Sequence, residues 1–194
     1  LDMAYPGFIL GNAALGEGLE THLFFTFWGF DMIIKSRMND LQFSPAGNTA
    51  MHLPGTNAHI PQAVMPVPGM TAMATKMLKK QLDDLNIPEV PDFLEQIVAA
   101  GGHLWACRLS ADMNKVEEAD LRDDVEGIIS ASDFIEMTEG AQLLFIWFRI
   151  YAQNHGKTRS WCVVSHTLWD YHLPMEARSV KRVIKIILTA LING

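Results

Sequence analysis

His103-Leu104-Trp105-Ala106-Cys107-Arg108-Leu109-Ser110-Ala111-Asp112 is the stretch on which the reading of the whole chain turns. It reads as a short buried strand running from Gly102 into a cysteine. A cation, two small or polar positions and a potential helix cap at Asp112 follow at once. In open α/β sheets, reactive groups collect in the crevice outside the carboxyl ends of the strands, where the chain turns from strand to helix. Cys107 has that address if the strand assignment holds.

Working outward, the flanks repeat an alternation of strand and helix. Residues 1–18 place Met3, Phe8, Ile9, Ala13, Ala14 and Leu15 in a helical pattern that Gly16 or Gly18 can close. His22 to Phe27 reads HLFFTF, a continuous apolar run typical of a strand buried on both faces of a parallel sheet. A helix feeding such a strand wants an opening strand before it, so the first βαβ unit is expected to lack its first strand, with the sheet left open there. A short helix is expected over Phe30 to Arg37. Thr71 to Leu85 is expected to be helical, with Met73, Met77, Leu78 and Leu82 on its apolar face. The next helix runs from Phe93 to Ala100 and is closed by Gly101-Gly102. Beyond the cysteine strand, Asp112 or Asn114 is expected to cap a short helical piece through Leu121. Val125 to Ser130 reads as a strand, Ser132 to Met137 as a helix and Leu143 to Phe148 as a strand. The fold class expected is α/β, a three-layer sandwich with a mainly parallel sheet.

Two regions depart from this rhythm. Residues 38–69 have no period and are punctuated by proline and glycine, with Met38, Met51 and Met65 among them. A loop of that length in a compact domain usually forms a lid or a subunit contact. Residues 176–191 place Val180, Val183, Ile184, Ile187 and Leu191 at helical spacing beside Lys181, Arg182 and Lys185, so a basic amphipathic C-terminal helix is expected.

Charge separates the same two parts. Residues 1–146 carry eight basic and twenty acidic side chains, a net of −12, whereas 147–194 carry seven and two, a net of +5. The acidic body repels phosphate, which argues against a nucleic-acid partner. With 49% hydrophobic and 19% charged residues the composition is that of a globular domain. The longest apolar run, Val183 to Ile192, is too short to span a bilayer, so no stable membrane insertion is expected. Without a basic leader segment the expected location is cytoplasmic. Two cysteines, Cys107 and Cys162, provide no disulfide framework.

The thiolate is the attacking form of cysteine, so a working cysteine needs positive charge or helix N–H groups nearby. Arg108 is the adjacent cation. The turn through Ser110 and Asp112 is the expected binding region for an anionic substrate group. The packing alternative is a buried, inert Cys107, since cysteine is among the most buried residue types. Cys162 reads as a packed residue. No phosphate-binding glycine motif occurs, and no cofactor is expected. His52, His59 and His103 are read as non-ligands. His103 and Cys107 stand four residues apart on one strand, about 13 Å, too far to share an ion, so no metal site is expected.

HLFFTFWGF at 22–30, PGMTAMATKMLKKQ at 68–81, GGHLWACRLSADM at 101–113 and VEGIISASDFIEMTEGAQLLFI at 125–146 together resemble the DsrE-like sulfurtransferase family, and within it the branch labelled peroxiredoxin-like and found with sulfur-oxidation genes. The resemblance covers residues 1–146. It implies a mostly parallel α/β fold, assembly into homo- or hetero-oligomers, and a cysteine that holds sulfane sulfur or a thiosulfonate group and passes it to a partner thiol. The matching position is Cys107, with Arg108, Ser110 and Asp112 beside it. The partners implied are a small inorganic or organic sulfur donor and a small sulfur-carrier protein bearing the other cysteine. A homo-oligomer is expected. The family's first strand and the Ser-Gly-Asp turn after it have no counterpart ahead of Leu1. Residues 147–194 match nothing in the family and are read as a basic extension of unknown role. The rival reading is a non-catalytic assembly or regulatory subunit. A peroxidase role is weaker, because no resolving cysteine stands near Cys107 in sequence.

Overall fold

In a computed structural model the structure describes residue 1, residues 4–43, residue 58, residues 67–149 and residues 183–191. Helix α1 (Ala4–Gly16) leads into strand β1 (Glu20–Phe25) and a 3₁₀ turn (Phe27–Ile33). Helices α2 (Met70–Asp84) and α3 (Val90–Ala99) precede β2 (His103–Cys107), which passes directly into α4 (Arg108–Asn114). A second 3₁₀ turn (Glu118–Asp120), strand β3 (Val125–Ile129), helix α5 (Ala131–Met137), β4 (Gln142–Arg149) and β5 (Val183–Leu191) complete the described elements.

All five strands are parallel, in the order β3-β2-β1-β5-β4. The α/β architecture with helices on both faces is therefore as expected. On one face Leu23, Phe25, Leu104 and Ala106 pack with Phe8 of α1 and with Phe93, Leu94 and Ile97 of α3. On the other, Phe24 and Cys107 pack against Phe134 of α5. The alternation along β1 and β2 sorts their side chains between these faces, as the period of a strand requires.

The entry to β2 depends on a close approach. Gly101 adopts φ +93°, a left-handed conformation that ends α3. A Cβ on Gly102 would lie 2.5 Å from Ile97 Cγ2 and 2.9 Å from the Ile97 carbonyl oxygen. Only glycine lets the strand start this near the helix it packs on, and the Gly102 N–H donates to that same carbonyl at 2.9 Å.

Several expectations are corrected. Residues 183–191 form strand β5, not the end of an amphipathic helix; residues 176–182 lie outside the described residues. Five of the nine residues in VIKIILTAL are β-branched, and a nearly continuous apolar run suits a strand flanked on both sides better than a one-sided helix. β5 pairs with β1 from Glu20↔Val183 to Phe25↔Leu188 and with β4 on its other edge, so the side of β1 expected to be open is filled from the far end of the sequence. The expected helix over 30–37 is a 3₁₀ turn that starts at Phe27, and Ile34 leaves it for a bridge to Leu121. α2 is helical as expected, but Ala74 is its buried residue and Met73 is 62% exposed. α4 starts at Arg108 and ends at Asn114, so Asp112 lies inside the helix and Asn114 at its far end, neither at its N-cap, and the piece expected to run on to Leu121 is only a 3₁₀ turn over Glu118–Asp120. The expected lid falls mostly in residues 44–57 and 59–66, outside the described residues, as do His52 and His59.

Candidate functional site

Cys107 ends β2 and is at the same time the N-cap residue of α4, where its sulfur caps no backbone N–H. The address anticipated from the sequence is therefore occupied: the carboxyl end of an inner parallel strand, at the step from strand to helix. Cys107 is 6% exposed and sits among Phe24, Trp105, Ile129 and Phe134. Phe24 and Phe134 stack with centroids 4.5 Å apart and planes at 15°. Sulfur against aromatic rings is a favourable contact, and the surroundings of the thiol are apolar.

One wall of that pocket is a single short helix. α5 has seven residues and is held by a reciprocal cap: the Asp133 N–H donates to Ser130 Oγ and the Ser130 N–H to Asp133 Oδ2, both at 3.1 Å. Phe134 is its one buried residue. So short a helix has little stability of its own beyond its cap and that anchor.

The four residues anticipated together are brought to the same end of the sheet and then put to different uses. Arg108 is exposed and donates to the Ile128 carbonyl at 2.6 Å, spanning from α4 to the end of β3 near Asp133. Ser110 is 1% exposed, and its Oγ accepts the Phe27 N–H at 2.7 Å. Phe27 has φ +47°, a strained conformation for a bulky residue, so Ser110 braces the turn that follows β1. Asp112 lies on the exposed side of α4. Around this rim Trp28, Leu109 and Met113 are 45%, 63% and 48% exposed.

The pocket residues Phe24, Ile129 and Phe134 are absent from the sequence reading. Period-two alternation separates Phe24 from Leu23 and Phe25, but nothing in one sequence says that Phe24 and Cys107 face the same helix. The same face carries a polar cluster at its other end. His22 and His103 are register partners on β1 and β2, with Glu20 beside His22 and Glu126 beside His103. Among the described residues, Glu20, His22 and His103 are the group whose donor atoms lie close enough for one cation, all within 4.8 Å of one another.

Comparison with known proteins adds two kinds of finding. The model of the DsrE/DsrF/DrsH-like family matches residues 1–145. The protein named sulfur carrier protein DsrE2 of Allochromatium vinosum is 31% identical over 147 residues, covering 75% of this chain and 91% of that protein. A Bacillus subtilis protein, YrkE, described as uncharacterized, is 26% identical over 155 residues, covering 75% of this chain and 89% of its own length.

Proposed function

The chain belongs to the DsrE/DsrF/DrsH-like family, and on that premise we propose that it is a cytoplasmic sulfur-trafficking protein whose carrier is Cys107. The observation that carries this reading is the position of Cys107 at the end of β2, in an apolar pocket closed by one short helix. The Cys107 thiolate attacks the outer sulfur of a donor such as thiosulfate. The new bond is Cys107 S–S, the S–S bond of the donor breaks, and sulfite leaves with the electron pair, so the protein holds a persulfide. With tetrathionate the thiolate attacks one of the two inner sulfurs, the central S–S bond breaks, an S-linked thiosulfonate stays on Cys107 and thiosulfate leaves with the electron pair.

Unloading is a second exchange. A thiolate on a small carrier protein attacks the outer sulfur of the persulfide, takes it, and returns Cys107 to the thiolate. Arg108 at the rim is the cation that meets the anionic donor. Ser110 acts through the Phe27 turn and is a positioning residue. The dry pocket keeps stray thiols from the loaded sulfur between the two steps, and the exposed apolar side chains Trp28, Leu109 and Met113 offer the partner a docking surface beside it.

The reading is tested by intact mass of the reduced protein after incubation with thiosulfate, tetrathionate or polysulfide, with Cys107→Ser in parallel. A gain of sulfur or of a thiosulfonate group, reversed by a reducing thiol and absent in Cys107→Ser, is the expected result. Equal loading of the variant refutes it. The rival reading, an assembly or regulatory subunit with an inert thiol, is favoured by the 6% exposure of Cys107. A Cys107 that resists both loading and alkylation near neutral pH in the native protein is the result it requires.

A further inference from the structure

At the amino end of β1 and β2, on the face that also bears Cys107, four side chains with metal-binding chemistry meet. His22 and His103 are direct register partners on adjacent parallel strands, so both project from the same face. Their rings stack with centroids 4.6 Å apart and planes at 17°. Glu20, two residues before His22 and therefore on the same face, brings Oε1 to 3.2 Å from His22 Nε2. One donor atom from each of Glu20, His22 and His103 lies within 4.8 Å of the others.

The surroundings hold these groups close to one another. The Glu126 carboxylate bonds His103 Nδ1, which fixes the ring proton there and leaves the Nε2 lone pair for another partner. A carboxylate behind a histidine is the usual outer-shell support of a ligating imidazole. The His22 side chain is 7% exposed, and its Nε2 faces the Glu20 carboxylate at 3.2 Å, so the ring is held between the sheet face and that carboxylate. In the structure the Trp105 indole N–H donates to His22 Nδ1 at 3.2 Å, which places the His22 proton on Nε2, facing Glu20. A cation entering at Nε2 moves that proton to Nδ1 and displaces the indole; no net proton is released from the ring.

From this juxtaposition we infer a cation site formed by Glu20, His22 and His103, supported by Glu126, that takes a divalent ion of the zinc class. Two imidazoles and one carboxylate suit zinc better than magnesium or calcium, which prefer all-oxygen sets. Three protein ligands leave the fourth tetrahedral position open to water or to a ligand. Closing the donors onto one ion needs a contraction to separations of about 3.4 Å, the spacing of atoms each ~2.0–2.1 Å from a tetrahedral centre, which rotation of the half-exposed His103 and Glu20 side chains supplies. Cys107 is not a ligand, since four residues of strand separate it from His103 by about 13 Å. The site is thus independent of the sulfur chemistry proposed above.

Cobalt(II) is the probe, because its visible absorption reports both geometry and donor type. The reduced full chain is expected to take up one equivalent with the bands of a tetrahedral nitrogen and oxygen site, displaced by zinc. Cys107→Ser retains the spectrum, His103→Gln abolishes it, and Glu126→Gln weakens binding about 10–100-fold, as loss of an outer-shell partner does. His103 and Glu126 are both partly exposed, so these variants fold, which their thermal melts verify. Absence of cobalt uptake, uptake unchanged by His103→Gln, or a thiolate charge-transfer band that disappears in Cys107→Ser overturns the inference.

Discussion

Ser110 illustrates how a residue next to a reactive thiol can act at a distance from it. Its hydroxyl is buried and engaged by the Phe27 N–H, in a turn whose positive φ at a bulky residue needs outside support. Ser110→Ala leaves that N–H without its partner, and a loss of about 1–3 kcal/mol in chemical denaturation is expected. Ser110→Thr, which keeps the hydroxyl, is expected to restore part of it. If Ser110 served only to bind substrate, Ser110→Ala would lower sulfur loading without any change in stability. The neighbouring Cys107 and Arg108 are legible in the sequence because a cysteine followed by a cation at a strand end is a local pattern. The engagement of Ser110 is not, because Phe27 stands 83 residues away.

At the scale of elements, α5 lays Phe134 over Phe24 and Cys107, which makes it the expected gate to the thiol. Hydrogen bonding to the Ser130 side chain first, then to its backbone N–H, with the charge of Arg108 behind them, holds the Asp133 carboxyl below its ordinary 3.8. A carboxyl whose pKa is depressed on folding stabilises the fold above its unfolded value, and that contribution is lost as the pH falls through the folded value. α5 is therefore expected to loosen below about pH 4, the unfolded range of an aspartate. The measurement is hydrogen exchange: α5 amides should lose protection in acid while those of α3, anchored by Phe93, Leu94 and Ile97, keep theirs. Asp133→Asn should show the loosened α5 already at neutral pH. Protection of α5 that stays constant across this range would remove the cap from the account of access. The cap itself is readable from Ser130 and Asp133, since a serine followed three residues later by an acid is a local signature. That the helix lies over the cysteine follows only from Phe134 stacking on Phe24, 110 residues earlier in the chain.

For the whole molecule the decisive feature is the parallel slot beside β1. β5 fills it, with Ile187 paired to Phe24 on one side and to Phe145 on the other. Proline at 187 removes a ladder donor and is confined in native sheets to edges, so Ile187→Pro is expected to abolish cooperative unfolding and expose β4 to limited proteolysis. An unaltered melting transition in that variant would mean that β5 is not an inner strand. Sequence by itself determined most of the elements of this protein through Met137, the turn over Phe27–Ile33 and the bounds of α4 excepted, together with the alternation that makes the fold α/β and the end of β2 as the place for Cys107, because helix caps, glycine stops and apolar periods are carried by neighbouring residues. Tertiary structure alone decided that residues 183–191 are a strand, that Phe24 and Phe134 enclose the thiol, and that His22 meets His103. Each of these depends on the register between strands, and register is set by packing between segments far apart in the chain, which no local pattern records.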